Sequence, residues 1–353
     1  MPSHAPADLL VTNARVRTFD LHPGADSWAE AVAVTDGCIT YVGPAADAPP
    51  ARETRDAGGA LVTPGIIDSH NHLLLGFDPD AVSLEGATTL AEVRCRISEL
   101  ATARPDLTWV CAENAVYSVV EGRRPNADDL RNIPGVDGRP VFVTTYDQHS
   151  VWLDATALRV LGIGRASRRA ASTDIAWGRP ERDERGEPTG WVTDFYTCAM
   201  TTAGLAGLQR DIPMYSPQRR YRKLLGSLQM ATAAGITTVV EPQVPLAEVD
   251  LFQRALDEGR LSSRVIAALF HPIDADDAFR RQLRDAVDSA PAADRLRFGP
   301  VKLYADDVIE PHTAWLLDDY ADRPGHRGAP SAPPGVLQEA VTALDDVIAR
   351  GNA

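Results

Sequence analysis

The sequence of 353 residues is poor in cysteine and has no long apolar run. Its four cysteines, Cys38, Cys95, Cys111 and Cys198, form no CxxC pair, so neither a disulfide framework nor a thiolate zinc site is indicated. We expect buried free thiols in a reducing cytoplasm. No apolar stretch approaches the ~20 residues of a membrane-spanning helix, and the first residues lack the basic and apolar regions of a signal peptide. The composition therefore predicts a soluble cytoplasmic protein with no membrane partner.

Positive charge is also scarce. The chain has 35 Lys and Arg residues against 49 Asp and Glu residues, which gives a formal net charge of −14. This balance opposes attraction to phosphate backbones, so we expect no nucleic-acid partner. With 44% hydrophobic and 24% charged residues, the chain lies in the globular range and outside the disordered and collagen-like classes.

The first 64 residues have the pattern of short strands separated by turns. Two apolar runs, 31–34 and 39–42, flank the dipeptide Asp36-Gly37, which supplies the positive φ angles of a tight hairpin turn. We predict a small β-domain over residues 1–64.

Residues 77–217 show no regular alternation. Apolar runs predict strands at 109–112 and 140–145, and the charged stretch 179–189 predicts a loop. We interpret this part of the chain as an inserted subdomain.

Beyond the insert the pattern becomes regular. Ser216-Pro217 is typical of a helix start, and apolar runs at 236–240, 265–270 and 301–305 alternate with helical periodicity up to a last helix that ends near Gly351. Strands that alternate with helices predict a parallel sheet covered by helices, as in a barrel.

His70 and His72 carry the strongest chemical signal. They follow the apolar residues Ile66 and Ile67 at a Pro-Gly boundary, and side chains at i and i+2 of a strand point to the same face. Two imidazoles placed in this way can hold one metal ion. The alternative is a pair of histidines in a polar turn.

The segment 63–72, TPGIIDSHNH, resembles the PGxIDxHxH motif of the amidohydrolase superfamily of metal-dependent hydrolases. Further stretches, QHSVW at 148–152, GEPTG at 186–190, AGITT at 234–238 and VKLYAD at 301–306, follow in the order seen in the branch of the N-substituted formamide deformylases. The resemblance covers nearly the whole chain. It implies an α/β fold with a (β/α)8 TIM barrel over residues 65–353, a large insert after the first barrel strand, and an N-terminal portion of a β-sandwich over 1–64.

The resemblance also implies a site. His70 and His72 would bind a divalent metal, with zinc expected and two ions in the complete enzyme, and Lys302 would carry a CO2-derived carbamate that bridges them. His149 would lie near the substrate. From the residues alone, Lys302 is better explained as a strand lysine that extends to solvent, and His149 is explained equally well as a packing residue beside Trp152.

Three further polar residues match no ligand of the family. Glu241 and His271 fall at predicted strand ends, where a polar rim residue is expected, and His312 follows a segment in which Asp307 replaces the usual glycine.

The residues outside the insert suffice for four to five βα units of ~31 residues each, so we expect an incomplete barrel. The family's later ligands, two histidines and an aspartate, have no match, and the chain has the pattern of an N-terminal portion of a longer enzyme. The function implied is hydrolysis of a non-peptide C–N bond in a small-molecule amide, by attack of a metal-activated hydroxide on the carbonyl. We expect the 353-residue chain alone to be inactive. The alternative is a non-catalytic half-barrel or binding protein, and homo-oligomerisation stays open.

Overall fold

The computed structural model describes residues 6–20, 22, 27–76, 78–165, 177–195, 201–272, 275–289, 293–306, 309 and 312–351. The chain forms two compact units, Met1–Ile66 and Ile67–Ala353. The sequence-based division at 64/65 lies two residues earlier.

The first unit contains a four-stranded sheet of order β5-β4-β1-β6 and a three-stranded sheet of order β3-β2-β7. The strands are β1 Ala7–Thr12, β2 Arg15–Arg17, β3 Trp28–Ala29, β4 Ala31–Thr35, β5 Cys38–Gly43, β6 Ala51–Asp56 and β7 Leu61–Val62. The predicted hairpin is confirmed, because β4 and β5 pair antiparallel across Asp36 and Gly37, whose φ angles are 51° and 75°.

The second unit contains a six-stranded sheet of order β13-β14-β12-β11-β10-β9. Its strands are β9 Ala81–Ser83, β10 Val110–Ala115, β11 Val141–Thr145, β12 Val151–Leu153, β13 Arg179–Arg182 and β14 Pro188–Thr193, and its helices are α1 Leu90–Ala103, α2 Ala155–Val160 and α3 Thr202–Asp211. The strands predicted at 109–112 and 140–145 correspond to β10 and β11 and are confirmed.

The predicted loop at 179–189 is wrong, since these residues form the hairpin β13-β14 around a turn at Gly186. The prediction failed because β13 is an edge strand, where proline is tolerated and charged residues such as the exposed Arg179 and the half-buried Glu181 can be accommodated.

The remaining sheet is four-stranded, of order β17-β16-β15-β8. Its strands are β8 Ile66–Asp68, β15 Ile236–Val244, β16 Arg264–Phe270 and β17 Leu296–Lys302, and its helices are α4 Pro217–Ala233, α5 Val249–Asp257, α6 Asp277–Asp288 and α7 Pro334–Gly351. Strands β15, β16 and β17 pair in parallel, which confirms the alternating strand and helix pattern. The apolar faces of the helices and strands share one core, in which Leu228, Val239, Phe252, Leu269 and Leu344 are fully buried.

The protein is therefore a mixed α/β chain, and the residues that the structure describes contain no closed barrel. None of the described helices combines the length and apolarity needed to cross a membrane. The expectation of buried thiols holds only for Cys111, because Cys38 and Cys95 are exposed free thiols. Cys198 lies outside the described residues.

Candidate functional site

The histidine pair lies just beyond β8, in a bend that Asp68 organises. Asp68 Oδ1 accepts the His70 N–H at 3.2 Å, and Oδ2 accepts Asn71 Nδ2 at 2.8 Å. These hydrogen bonds, that of Asn71 first, lower the pKa of the Asp68 carboxyl. The ring centroids of His70 and His72 lie 5.4 Å apart with an interplanar angle of 86°. The two rings meet because of this bend and not, as predicted, because both residues belong to the strand.

Glu241, in the neighbouring strand β15, holds the second histidine. Its buried carboxylate lies with Oε1 3.2 Å from His72 Nδ1 and accepts the Leu73 N–H on Oε2 at 2.6 Å. The Gln243 N–H is 3.2 Å from Oε1, so this oxygen faces two donors. The expected rim residue is thus a buried contact of the histidine pair, and sequence reasoning missed this role.

A second set of contacts runs along the same end of the sheet. The Tyr304 hydroxyl donates to Gln243 Oε1, and the Tyr304 ring packs 5.9 Å from the Phe270 ring. Lys302 Nζ lies 4.6 Å from the centroid of Tyr304, over the ring. Lys302 is half-buried and pairs with Phe270 in the ladder of β16 and β17.

The histidine pair and Lys302 occupy opposite edges of the four-stranded sheet, because β8 is one edge strand and β17 the other. In the described part of the chain, no hydrogen bond or ring contact joins Lys302 to His70 or His72. The structure thus brings His72 to Glu241, and it places Lys302 against Tyr304.

His149 lies in the other sheet of this unit, between β11 and β12. Its backbone N–H donates to Asp147 Oδ1 at 3.1 Å, and its carbonyl accepts the Phe195 N–H at 3.1 Å. Asp147 also accepts the Tyr117 hydroxyl at 2.9 Å, and burial raises the pKa of Tyr117 to about 12. His149 is half-buried on a turn braced by these polar groups.

The other two histidines singled out in the sequence, His271 and His312, contact side chains outside the histidine pair. His271 is fully buried, so the expectation of a rim position is wrong. Its backbone N–H donates to Lys302 O at 3.0 Å, and the centroid of its ring lies 5.9 Å from that of Phe279. His312 pairs with Asp322 at 2.9 Å and packs against Tyr320. Asp307 lies outside the described residues.

The imidazole nitrogens of the histidine pair are ligands that suit a divalent metal ion. With Nδ1 of His72 facing a carboxylate, Nε2 remains as the ligating nitrogen, the arrangement common among metal-bound histidines. Among the described residues, however, no group of three His, Cys, Asp or Glu side chains is placed to hold an ion together. The pair therefore supplies part of a ligand set.

Comparison with known proteins gives the family. The profile of the amidohydrolase family matches residues 53–350. The N-substituted formamide deformylase of Arthrobacter pascens is 30% identical over 310 residues, which cover 85% of this chain and 54% of that protein. Protein LONG AFTER FAR-RED 3 of Arabidopsis thaliana is 25% identical over 359 residues, which cover 98% of this chain and 58% of that protein.

Among solved structures, an uncharacterized metal-dependent hydrolase of Pyrococcus horikoshii OT3 aligns with a TM-score of 0.68 and 18% identity, over 96% of this chain and 63% of that one. This likeness shows the fold. The chain spans little more than half the length of the two curated relatives. From the match over residues 53–350 and the 30% identity to the deformylase, we conclude that the chain belongs to the amidohydrolase family.

Proposed function

We propose that this chain provides part of the active site of a metal-dependent hydrolase that cleaves a non-peptide carbon–nitrogen bond in a small-molecule amide. The observation that carries the proposal is the contact of His72 Nδ1 with the buried Glu241, which leaves Nε2 as the metal-facing nitrogen beside His70. The family and its deformylase member support the reaction class.

The proposed ligands are His70, His72 and Lys302, and the proposed metal is zinc. When bound, such an ion polarises a carbonyl oxygen and lowers the pKa of a water molecule. Carbamate formation joins the neutral Nζ amine of Lys302 to the carbon of CO2 and releases one proton from that nitrogen, and Nζ must turn away from the Tyr304 ring that it now covers. His149 is proposed to contact the substrate from its turn after β11.

The proposal extends to the architecture and the compartment. We propose that the four-stranded sheet and its helices belong to a (β/α)8 barrel, the first unit to a β-sandwich, and residues 77–217 to an insert. The exposed free thiols of Cys38 and Cys95 suit a reducing compartment, so the cytoplasm is the proposed location.

Metal analysis of the full-length protein that contains this chain tests the function. We expect the purified protein to contain zinc and to hydrolyse an N-formyl or N-acyl amide, and a chelator to abolish this activity. Replacing both His70 and His72 with alanine should remove the metal, whereas His22→Ala, an exposed histidine of the other unit, should not.

Two outcomes would contradict the proposal. Zinc that stays bound in the double variant would refute the ligand assignment. A folded protein that binds no metal and hydrolyses none of the amides would support the binding-protein alternative.

Lys302 has its own test. Lys302→Ala should lose bound metal and activity, and a small carboxylic acid should restore part of both by taking the place of the carbamate. Lys302→Arg keeps the positive charge but forms no carbamate, so it should behave like the alanine variant. Full metal content and activity in Lys302→Arg would refute the carbamate.

A further inference from the structure

The segment that carries the histidine pair is attached to β15 by backbone and side-chain contacts. The Asn71 N–H donates to Val240 O at 3.0 Å, and the next residue of β15, Glu241, accepts the Leu73 N–H at 2.6 Å. His72, between these two attachment points, has its Nδ1 3.2 Å from Glu241 Oε1. The backbone on both sides of His72 is therefore fixed relative to the carboxylate.

The donors around Glu241 decide which nitrogen of His72 carries the proton. Backbone N–H groups can only donate, and those of Leu73 and Gln243 reach one carboxylate oxygen each. A carboxylate whose two oxygens both accept hydrogen bonds requires a donor from His72 as well, and this donor is Nδ1–H. The lone pair then lies on Nε2.

The burial of Glu241 indicates that its contact with His72 is a built part of the structure and not an accidental surface contact. Its side chain is 1% exposed, whereas that of His72 is 30% exposed. A buried carboxylate is costly unless several hydrogen bonds compensate for its lost hydration, and here three donors do so. The arrangement directs a fixed acceptor at Nδ1 of His72, and the His72 side chain as a whole stays partly exposed.

We propose that Glu241 is a positioning residue of the metal site, which holds His72 in the Nδ1–H tautomer and so presents Nε2 to the ion. The inference rests on the proposed function in that it takes His72 as a metal ligand. Loss of such an outer partner of a ligating histidine typically weakens metal binding ~10–100-fold.

The tautomer can be measured directly in the metal-free protein. Nitrogen-15 NMR of the histidine-labelled protein, at a pH where imidazoles are neutral, should show His72 with the proton on Nδ1, and His72→Asn assigns the signal. This experiment needs no activity and no folded Glu241 variant. A wild-type His72 that carries its proton on Nε2 would overturn the proposal.

Glu241→Gln tests the consequence for the metal. The amide retains an acceptor for one backbone N–H but can present its NH2 group to His72, which favours the opposite tautomer. We expect zinc affinity, measured by competition with a chromophoric chelator, to fall ~10–100-fold. Glu241→Asp, which keeps a carboxylate, should recover part of the loss. Glu85→Gln, which neutralises an exposed carboxylate near the other sheet, is the control and should retain wild-type affinity.

The results separate this proposal from the proposed function. Metal-dependent amide hydrolysis with unchanged zinc affinity in a folded Glu241→Gln would refute the positioning role and leave the function standing. The predicted tautomer and affinity loss in a protein that hydrolyses no amide would refute the function and leave the positioning role standing.

Discussion

Lys223 and Glu113 form a buried ion pair between helix α4 and strand β10. Lys223 Nζ donates to Glu113 Oε1, and the side chains are only 4% and 11% exposed. Burial raises the pKa of the Glu113 carboxyl and lowers that of the Lys223 amine, and each charge offsets part of the cost of the other. The pair thus joins the six-stranded sheet to the helix that precedes β15.

Removing one partner of this pair should destabilise the protein. Lys223→Met leaves a buried carboxylate without its cation, and we expect a loss of about 3 to 5 kcal/mol in the free energy of unfolding. The double variant Lys223→Met, Glu113→Gln should recover much of the loss, because no uncompensated charge remains. Urea denaturation measures both. Arg131→Ala, which breaks an exposed pair with Asp128, is the control and should cost less than about 1 kcal/mol.

Two glycines of the hairpin β13-β14 should differ sharply on replacement by alanine. Gly190 has φ 95°, and an added Cβ would lie 2.6 Å from Leu153 O and 2.7 Å from Ala127 N. Gly186 has φ 80°, and its Cβ would meet open space. We expect Gly186→Ala to cost about 1 to 2 kcal/mol from the backbone conformation alone. Gly190→Ala, which adds a backbone clash, should cost more than about 3 kcal/mol. Equal stabilities by urea denaturation would contradict the close packing.

The described thiols should react with iodoacetamide at different rates. Cys38 is exposed, whereas Cys95 donates a hydrogen bond to Glu99 Oε1 at 3.4 Å, which raises its pKa. Burial raises the pKa of Cys111 to about 12. At pH 8 we expect rapid labelling of Cys38, slower labelling of Cys95 and protection of Cys111 until urea unfolds the protein, as followed by peptide mass spectrometry. Labelling of native Cys111 at the rate of Cys38 would be inconsistent with its burial.

Local patterns in the sequence predicted the parts of the fold that depend on near neighbours. The strands β15 and β16 are apolar runs, and the turn at Asp36-Gly37 has the conformation that its residues favour, whereas β17 begins five residues before the predicted strand at 301–305. The proximity of His70 and His72 is also local, although the bend at Asp68 produces it.

Contacts between distant residues were not predictable in the same way. His72 and Glu241 are 169 positions apart, and their contact depends on β8 lying next to β15. The charged face of α4 is a similar case, because Arg219, Arg220 and Lys223 are buried against carboxylates from other elements. A carboxylate next to a predicted buried strand, such as Glu241, is a signal, but the sequence alone does not say which strand lies beside it.

Asp80 should make stability depend on pH in the acid range. Burial raises the pKa of this carboxyl, but Arg104, at 2.8 Å, and Arg222 outweigh burial and hold the pKa below its ordinary value. A lowered pKa in the folded state means that the carboxylate stabilises the protein above the unfolded value of about 3.9, and that this contribution is lost as the pH falls through the folded value. Between pH 6 and pH 3 we expect Asp80 to account for a loss of about 1 kcal/mol or less, because the unfolded carboxyl binds its proton only near pH 3.9 and below.

Urea denaturation of Asp80→Asn at both pH values measures this contribution. The variant should be less stable than the wild type at pH 6, and the difference should shrink at pH 3, because the unfolded wild-type chain then binds a proton at this carboxyl and its charge favours folding less. Asp318→Asn, which changes an exposed aspartate, should follow the wild type at both pH values. A difference between Asp80→Asn and the wild type that stays constant from pH 6 to pH 3 would mean that Asp80 acts through packing and not through its charge.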